Sequence, residues 1–250
     1  LRRPKLTATL PVLQAALTCA IVCNAVFIIG QRLQRISVPT GIAESELSVI
    51  PSASIEEGEH PQARHAADLA ALRGVRGVQS AVAVSYSLPL DRSEASSGIC
   101  PSKQALDRAM QLNTIEGSGC MQPAVYDGTP GLVGTLGLHL VAGRDFRPEE
   151  YVSQGKPAVA IVSRALAQHL YPDKQALGQS MYDGDNYIRI VGIVDRLLRP
   201  NLRSPGVDED SMIWPQLPPG SGVLYVLRTA PGDRARVLQE GSAELLKLNA

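Results

Sequence analysis

The feature that most constrains this chain is a long uncharged run near its N-terminus, from Leu10 to Gly30. A run of about 21 residues forms a helix of about 31 Å, which matches the hydrocarbon thickness of a bilayer. Pro11 is compatible with the first turn of such a helix, where its missing N–H has no partner to lose. Gln14 and Asn24 are the strongly polar side chains of the run, and both are suited to contacts with other membrane helices. The run predicts a transmembrane helix over residues 10–30.

Three other kinds of segment share this composition: a cleaved signal peptide, a lipoprotein signal and a buried helix of a soluble protein. The run is long for a signal peptide, and no small-x-small cleavage site follows it. Cys19 and Cys23 follow Thr18 and Val22, which fit a lipoprotein signal poorly. Buried helices seldom extend this far without a charge. We interpret the run as a membrane anchor, although the sequence leaves these alternatives open.

The charges around the run predict the orientation of the chain. Arg2, Arg3 and Lys5 precede it, whereas Arg32 and Arg35 follow it, so the basic excess on the N-terminal side is slight. By the positive-inside rule, this excess favours a cytoplasmic segment over residues 1–9 and an extracytoplasmic domain over residues 37–250.

The composition of the chain excludes one class of partner. Its 24 basic residues equal its 24 acidic residues, so the protein has no general basic field and nucleic acid is not expected as a partner. Aromatic residues make up only 4% of the chain, which predicts a core of Val, Leu, Ile and Ala.

Beyond the anchor, the apolar patterns predict short strands and helices. Residues 42–50, 61–72 and 78–88 form a predicted strand, helix and strand, which is a β-α-β unit. Residues 91–119 are polar and rich in Ser and Gly, which predicts an insertion or a long exposed loop. Further strands are predicted at 121–126, 138–142, 158–162, 187–194, 211–214 and 223–228, and further helices at 129–136, 164–171 and 232–248. Because these elements do not alternate strictly, an α+β fold is favoured over a doubly wound sheet.

No catalytic, cofactor-binding or metal-binding residues are predicted, and the chain is not expected to be an enzyme. The sequence contains neither a P-loop nor a Gly-x-Ser-x-Gly elbow. His60 and His65 lie near two glutamates, but their spacing of five places them on different helix faces, so a solvated loop and helix start is the favoured interpretation. The other candidate polar residues are expected at the surface or in turns: His139, His169, Asp145, Asp183 and Asp185.

The cysteines fall into two groups. Cys19 and Cys23 lie one turn apart in the predicted membrane helix, where they act as small packing residues. Cys100 and Cys120 are the other two cysteines, and an even pair in an oxidising compartment indicates a disulfide. Two unpaired thiols are the alternative, because the sequence gives no distance between them.

Four stretches in order along the chain then resemble the extracytoplasmic core domain of ABC-transporter permeases of the MacB/FtsX-like type. They are Leu69–Leu72 with Gly77-Val78 and the ending Leu88-Pro89-Leu90; the stretch LGLHLVAGRDF from Leu136 to Phe146; Ala158–Gln179; and IVGIVD from Ile190 to Asp195. The resemblance covers nearly the whole chain and implies no active site. Independently of it, Gly137 and Gly143 are expected to permit tight turns, and Gly192 a close backbone approach.

The resemblance implies a mixed α/β periplasmic core domain of two subdomains, anchored in the bacterial inner membrane. It also implies a permease subunit that acts with a separate ABC ATPase subunit and a second permease subunit, as a homo- or heterodimer. Family permeases have four membrane helices and this chain shows the first, so we expect a fragment or a truncated product with the others beyond Ala250. The alternative is a single-span periplasmic sensor or assembly protein that binds a ligand or partner.

Overall fold

A computed structural model describes residues 4–36, 38–53, 61–85, 87–89, 93–184, 186–202, 207–220 and 222–248. The chain divides into two units, residues 1–39 and residues 40–250. The first unit is the helix α1, Pro4–Ile36. Within α1, Pro11–Gly30 is long and apolar enough to cross a membrane, and none of it is buried within the protein. The interpretation as a buried helix of a soluble protein is therefore disfavoured.

The second unit begins with the predicted β-α-β arrangement. Strand β1 is Leu47–Ala53, helix α2 is Pro61–Gly74 and strand β2 is Val78–Val84. The strand predicted at 42–50 starts later than expected, because a short 3₁₀ turn, Glu44–Glu46, precedes it.

The middle of the chain supplies eight further short elements. The stretch predicted as an insertion or loop, 91–119, contains strand β3, Ala95–Ser96, and helix α3, Lys103–Leu112. Ser102 caps α3 by accepting from the Ala105 amide. This capping serine is a local signal for a helix within the Ser- and Gly-rich sequence, where the composition alone had predicted a loop. The elements that follow are β4 Ala124–Asp127, α4 Leu132–Leu136, β5 Leu140–Gly143, β6 Val159–Ser163, α5 Arg164–Leu170 and β7 Ser180–Asp183.

The remaining elements complete two sheets. They are β8 Asn186–Val194, β9 Ser211–Trp214, β10 Gly222–Thr229 and α6 Arg234–Leu248. The small sheet has the order β1-β10-β2 and is antiparallel throughout. The large sheet has the order β3-β4-β9-β6-β8-β5, and β7 pairs with β8 as well. Because β4–β9 and β6–β8 are parallel and the other pairs are antiparallel, the large sheet is mixed.

Alternation along the strands divides the core into three parts. In β10, Tyr225 and Leu227 face α2 and α6, whereas Leu224 and Val226 face a central core shared with the large sheet. In β6, Ile161 faces the same central core, and Val162 faces a third cluster that includes the buried side of α5. Each sheet thus carries its own helices on one face and contributes its other face to one common core. The prediction of an α+β fold behind one N-terminal apolar helix is confirmed.

Candidate functional site

The described residues contain no cluster of three or more His, Cys, Asp or Glu side chains that could hold a metal ion. His60 and Asp185 lie outside the described residues, so the pairing of His60 with His65 has no structural account. Other features of the described residues that could serve as sites are single buried polar groups, two surface cavities, the segment between Cys100 and Cys120, and close backbone contacts.

His65 is not at a solvated helix start, as the sequence predicted, but is buried, with 2% of its surface exposed. Its ring lies edge-on to Tyr225 with 6.4 Å between the ring centroids. Neither ring nitrogen makes a hydrogen bond of ordinary geometry, although the Gly220 backbone is close enough to oppose the lowering of its pKa. The pKa of His65 is lowered, chiefly by burial and then by the charge of Arg64. The Tyr225 hydroxyl donates to the buried Asp68 carboxylate at 2.5 Å. These contacts make His65 part of the packing between α2 and the small sheet.

His169 is exposed as predicted, and its Nδ1 lies 2.8 Å from Oδ1 of Asp210. The Asp210 side chain is 2% exposed, and burial raises its pKa although His169 opposes that shift. A serine beside such a pair could act as a nucleophile, and Ser163 lies close to His169 in the sequence. Its Oγ, however, donates to the Glu209 carbonyl at 2.6 Å and accepts from the Leu166 amide. The serine therefore caps α5 as predicted, and its hydroxyl is engaged by backbone groups instead of a base.

Two aspartates that were predicted in turns make contacts that stabilise the fold. Asp145 accepts from the Phe146 amide at 2.7 Å, which is a local turn contact. Asp183 ends β7, accepts from the Ser97 hydroxyl at 3.0 Å and pairs with Lys156 at 2.6 Å. Their carboxylates are thus explained by folding contacts.

A buried ion pair was missed by the sequence analysis. Arg199 and Glu94 have side chains 3% and 4% exposed, and Nη2 of Arg199 lies 2.7 Å from Oε1 of Glu94. The same guanidinium donates to the Gln122 carbonyl at 3.0 Å, and the amide of Asn201 donates to the Glu94 carboxylate. The pair therefore connects three segments that are distant in sequence. It could not be found from the sequence because its two residues lie in polar stretches about 100 positions apart.

Gly143 and Gly192 lie face to face where β5 meets β8. A Cβ on Gly143 would lie 2.2 Å from the Val191 carbonyl oxygen, and Gly143 has φ +76°. A Cβ on Gly192 would lie 2.5 Å from the Arg144 carbonyl oxygen. The predicted turn at Gly143 and the predicted close approach at Gly192 are confirmed, and they are parts of one contact.

The sulfur atoms of Cys100 and Cys120 lie 2.01 Å apart, across a sequence separation of 20 residues. The enclosed helix α3 packs its inner face, which includes Leu106 and Ala109, against the two cysteines and Tyr182. The Cys100 and Tyr182 backbones exchange two hydrogen bonds, of 2.9 and 2.8 Å. The segment also exposes three apolar side chains: Met110, Leu112 and Ile115.

Two cavities open at the surface of the small sheet and its helices. One of about 370 Å³ lies at the edge of β2 and includes Arg73 and Arg228 in its lining. Arg73 donates to the Ala81 carbonyl at 2.8 Å, and Arg228 pairs with Glu46 at 2.6 Å and donates to the Gly134 carbonyl. Both guanidinium groups are thus bound to oxygen atoms of the protein and stabilise this part of the fold. The other cavity, of about 530 Å³, lies between α2 and α6.

Comparison with known families gives one match that spans most of the chain. Residues 21–240 match the family described as the MacB-like periplasmic core domain. Among curated proteins, no match to the chain is found.

One solved structure shows a similar fold at low sequence identity, and two others match with lower scores. The periplasmic region of MacB from Actinobacillus actinomycetemcomitans is 15% identical, with a TM-score of 0.50 over 84% of this chain and 86% of that chain. The extracellular domain of the noncanonic ABC-type transporter YknZ from Gram-positive bacteria is also 15% identical, with a TM-score of 0.49 over 80% of this chain and 92% of that one. A domain of a putative permease protein from Porphyromonas gingivalis is 14% identical, with a TM-score of 0.43 over 82% and 83% of the two chains.

Proposed function

Since this chain belongs to the family of the MacB-like periplasmic core domain, we propose that it is a permease subunit, or the N-terminal part of one, of an ABC transporter. The observation that carries the proposal is the family match over residues 21–240, which begins inside the apolar helix and extends into α6. In this role the periplasmic domain couples ATP hydrolysis by a separate cytoplasmic subunit to export or to mechanical work in the periplasm.

The domain organisation proposed with this function has three parts. Residues 1–9 lie in the cytoplasm, residues 10–30 cross the bacterial inner membrane, and residues 37–250 lie in the periplasm. The partners are an ABC ATPase subunit and a second permease subunit, identical or different. The unburied apolar face of Pro11–Gly30 supports the membrane assignment, because such a surface is stable only in lipid or against other helices.

The structure supports a mechanical role more readily than a chemical one. Ser163 caps a helix and Asp183 connects neighbouring segments, so these two side chains have structural partners instead of catalytic ones. By contrast, the two sheets, each with its own helices, share one apolar core. Packed cores of this kind can switch between discrete packing arrangements, which is what a mechanical role requires.

We further propose that Cys100 and Cys120 are oxidised in the periplasm. The compartment proposed for residues 37–250 and the position of the two sulfur atoms support this pairing. Mass spectrometry of unreduced, alkylated protein from the periplasmic side of native membranes should find the 100–120 crosslink. Recovery of both thiols in alkylated form would overturn this proposal.

The experiment that tests the function combines topology with partner capture. The full-length protein is tagged and purified in mild detergent from its native host, and co-purifying proteins are identified by mass spectrometry. We expect a P-loop ATPase subunit in stoichiometric amount, and ATP hydrolysis by the complex. A phosphatase reporter joined after Ala250 should be active only in the periplasm. A stable membrane protein that captures no ATPase would refute the transporter proposal and favour the sensor or assembly protein.

A further inference from the structure

The cavity of about 370 Å³ that includes Arg73 and Arg228 in its lining opens along β2, an edge strand of the small sheet. We call this cavity the β2 cleft. Its volume lies at the lower end of the range for small-molecule sites. Among the described residues of its lining, two are arginines and none is acidic. The β2 cleft is therefore suited to an anion.

The open edge of β2 is closed at one end of the cleft. The Ala83 amide donates to Oγ1 of Thr129 at 3.0 Å, and the Ala83 carbonyl accepts from the Thr129 amide at 2.9 Å. These two bonds occupy the edge at Ala83, so a partner strand cannot pair along β2 through this position. The cleft opens beside it, at residues 79–81. A short ligand therefore fits the cleft better than an added strand.

The backbone of Ala81 presents an unused donor to the cleft. Strand residues two apart direct their backbone groups to the same side, so Ala81 faces the open edge as Ala83 does. The Ala81 carbonyl accepts from Nη2 of Arg73 at 2.8 Å, whereas no described group outside the sheet accepts from the Ala81 amide. Ala81 is 1% exposed, and a buried N–H without an acceptor costs free energy. An acceptor bound in the cleft would satisfy this N–H.

A pair of hydroxyl groups supplies a second donor. Oγ1 of Thr135 donates to Oγ of Ser80 at 3.0 Å. Thr135 is buried, and Ser80 is half-buried in the lining of the cleft. Each hydroxyl carries one proton and the pair shares one hydrogen bond, so one proton is left to donate. The Ser80 hydroxyl can therefore bind an acceptor in the cleft.

The charges of the cleft favour a monoanion. Arg73 is exposed and uses one of its five N–H donors on the Ala81 carbonyl, and no described carboxylate pairs with it. The other guanidinium, that of Arg228, is neutralised by Glu46, with 2.6 Å between Nη2 and Oε2. One positive charge is thus left unpaired. It matches a carboxylate, which a guanidinium binds through two parallel hydrogen bonds, better than a phosphate with nearly two charges.

The remaining walls of the cleft are aliphatic or lack side chains. Val82 and Pro130 provide apolar surface, and Gly131 and Gly134 leave room beside it. A Cβ on Gly134 would meet no atom within 4 Å. The cleft can therefore hold a short aliphatic group next to the donors.

We propose that the β2 cleft binds a carboxylate carried on a short aliphatic body. Arg73 pairs with the carboxylate, and the Ser80 hydroxyl and the Ala81 amide donate to it. A free monocarboxylic acid and the C-terminus of a peptide share this chemistry. The inference stands apart from the transporter proposal, because it requires neither an ATPase nor a second permease subunit.

Calorimetric titration of the full chain in lipid nanodiscs at pH 7 tests the inference, with empty nanodiscs as the blank. The probes are butyrate and trialanine, each compared with its neutral amide, and inorganic phosphate. We expect saturable binding of at least one carboxylate probe and at least 10-fold weaker binding of its amide. The tighter of the two carboxylates identifies the source, a free acid or a peptide C-terminus.

Two variants locate the binding in the cleft. Arg73→Gln should weaken the carboxylate at least 10-fold, whereas Arg76→Gln, which removes the same charge from the lining of the other cavity, should leave it unchanged. Because Arg73 also binds the Ala81 carbonyl, a second variant keeps every donor in place. Gly134→Leu puts a side chain into open space in the lining and should abolish binding while the unfolding midpoint in urea stays within error of the wild type.

Four results would overturn the inference. They are the absence of saturable binding by both carboxylates, equal binding of the carboxylates and their amides, tighter binding of phosphate than of either carboxylate, and unchanged binding in Arg73→Gln or in a folded Gly134→Leu protein.

Discussion

Removing the Cys100–Cys120 disulfide should destabilise the globular unit by a magnitude that follows from its loop. The bond closes a separation of 20 residues, which corresponds to ~11 cal/mol/K of chain entropy, or ~3 kcal/mol at room temperature. The helix α3 inside this loop contributes little packing energy that could compensate for the lost bond, because its packing is confined to a small cluster around the two cysteines. We therefore expect Cys100→Ala with Cys120→Ala to lower the free energy of unfolding by ~3 kcal/mol.

The assay is urea unfolding of the full chain in detergent, followed by the fluorescence of Trp214. The midpoint should fall while the slope rises only slightly, because the released loop, with its separation of 20 residues, is a small part of the surface that the chain exposes on unfolding. Hydrogen exchange adds a local expectation: amides of α3, Lys103–Leu112, should exchange faster in the variant, while β6 and β8 stay protected. The matched control replaces Cys19 and Cys23, which are unpaired cysteines of the apolar helix α1, and it should leave the midpoint unchanged.

Two results would refute this reasoning. An unfolding midpoint equal to that of the oxidised wild type would show that the bond does not form or does not constrain the unfolded chain. Loss of protection throughout β6 and β8 would show that the 100–120 segment is integral to the large sheet instead of attached to it.

Three further predictions concern single residues of the globular unit. Gly192→Ala should destabilise it by ~1–3 kcal/mol in urea unfolding, because the new Cβ meets a carbonyl oxygen at 2.5 Å, whereas Gly222→Ala, in open space at the start of β10, should change it by less than ~0.5 kcal/mol. The pKa of His65 is lowered in the folded state, so the unfolded state binds the proton more readily; the free energy of unfolding should fall as pH drops below 6.5, and His65→Leu should remove that dependence. Arg199→Met should cost ~3–5 kcal/mol by leaving a buried carboxylate without its guanidinium, whereas Arg164→Met, in an exposed pair, should cost less than ~1 kcal/mol in the same assay.

Each of these predictions has a clear contrary result. Equal stability of the Gly192 and Gly222 variants would contradict the close contact between β5 and β8. A wild type whose stability is constant from pH 7 to pH 5, or a His65→Leu variant with an unchanged pH profile, would contradict the lowered pKa of the buried His65 imidazole. An Arg199→Met protein as stable as Arg164→Met would mean that the ion pair is hydrated.

The spacing of apolar residues and the positions of glycine and proline determined most of the helices and strands. Apolar spacing indicated the helices at 61–72 and 164–171, whose observed bounds are Pro61–Gly74 and Arg164–Leu170. The uncharged run indicated an apolar helix long enough to cross a membrane, because that length depends only on the chain's own composition. The glycine positions were also informative, since a positive φ or a close backbone approach excludes side chains whatever the fold.

The environment of each polar residue depended on tertiary structure. His65 was predicted in a solvated helix start and is buried against Tyr225, a residue 160 positions later in the chain. Arg199 and Glu94 gave no local signal of pairing, because each was one charge among several in a polar stretch. Local sequence reports propensity, whereas desolvation depends on which distant segment covers a residue.

The order of the strands was likewise beyond local reasoning. The sequence by itself determined a β-α-β unit near the anchor, and β1, α2 and β2 form it. Only the tertiary structure placed β10, from the far end of the chain, between β1 and β2. Strand pairing is decided by which apolar faces can be buried together, and the two faces of β10 satisfy two different cores at once. That long-range choice joins the two sheets, and no window of neighbouring residues contains it.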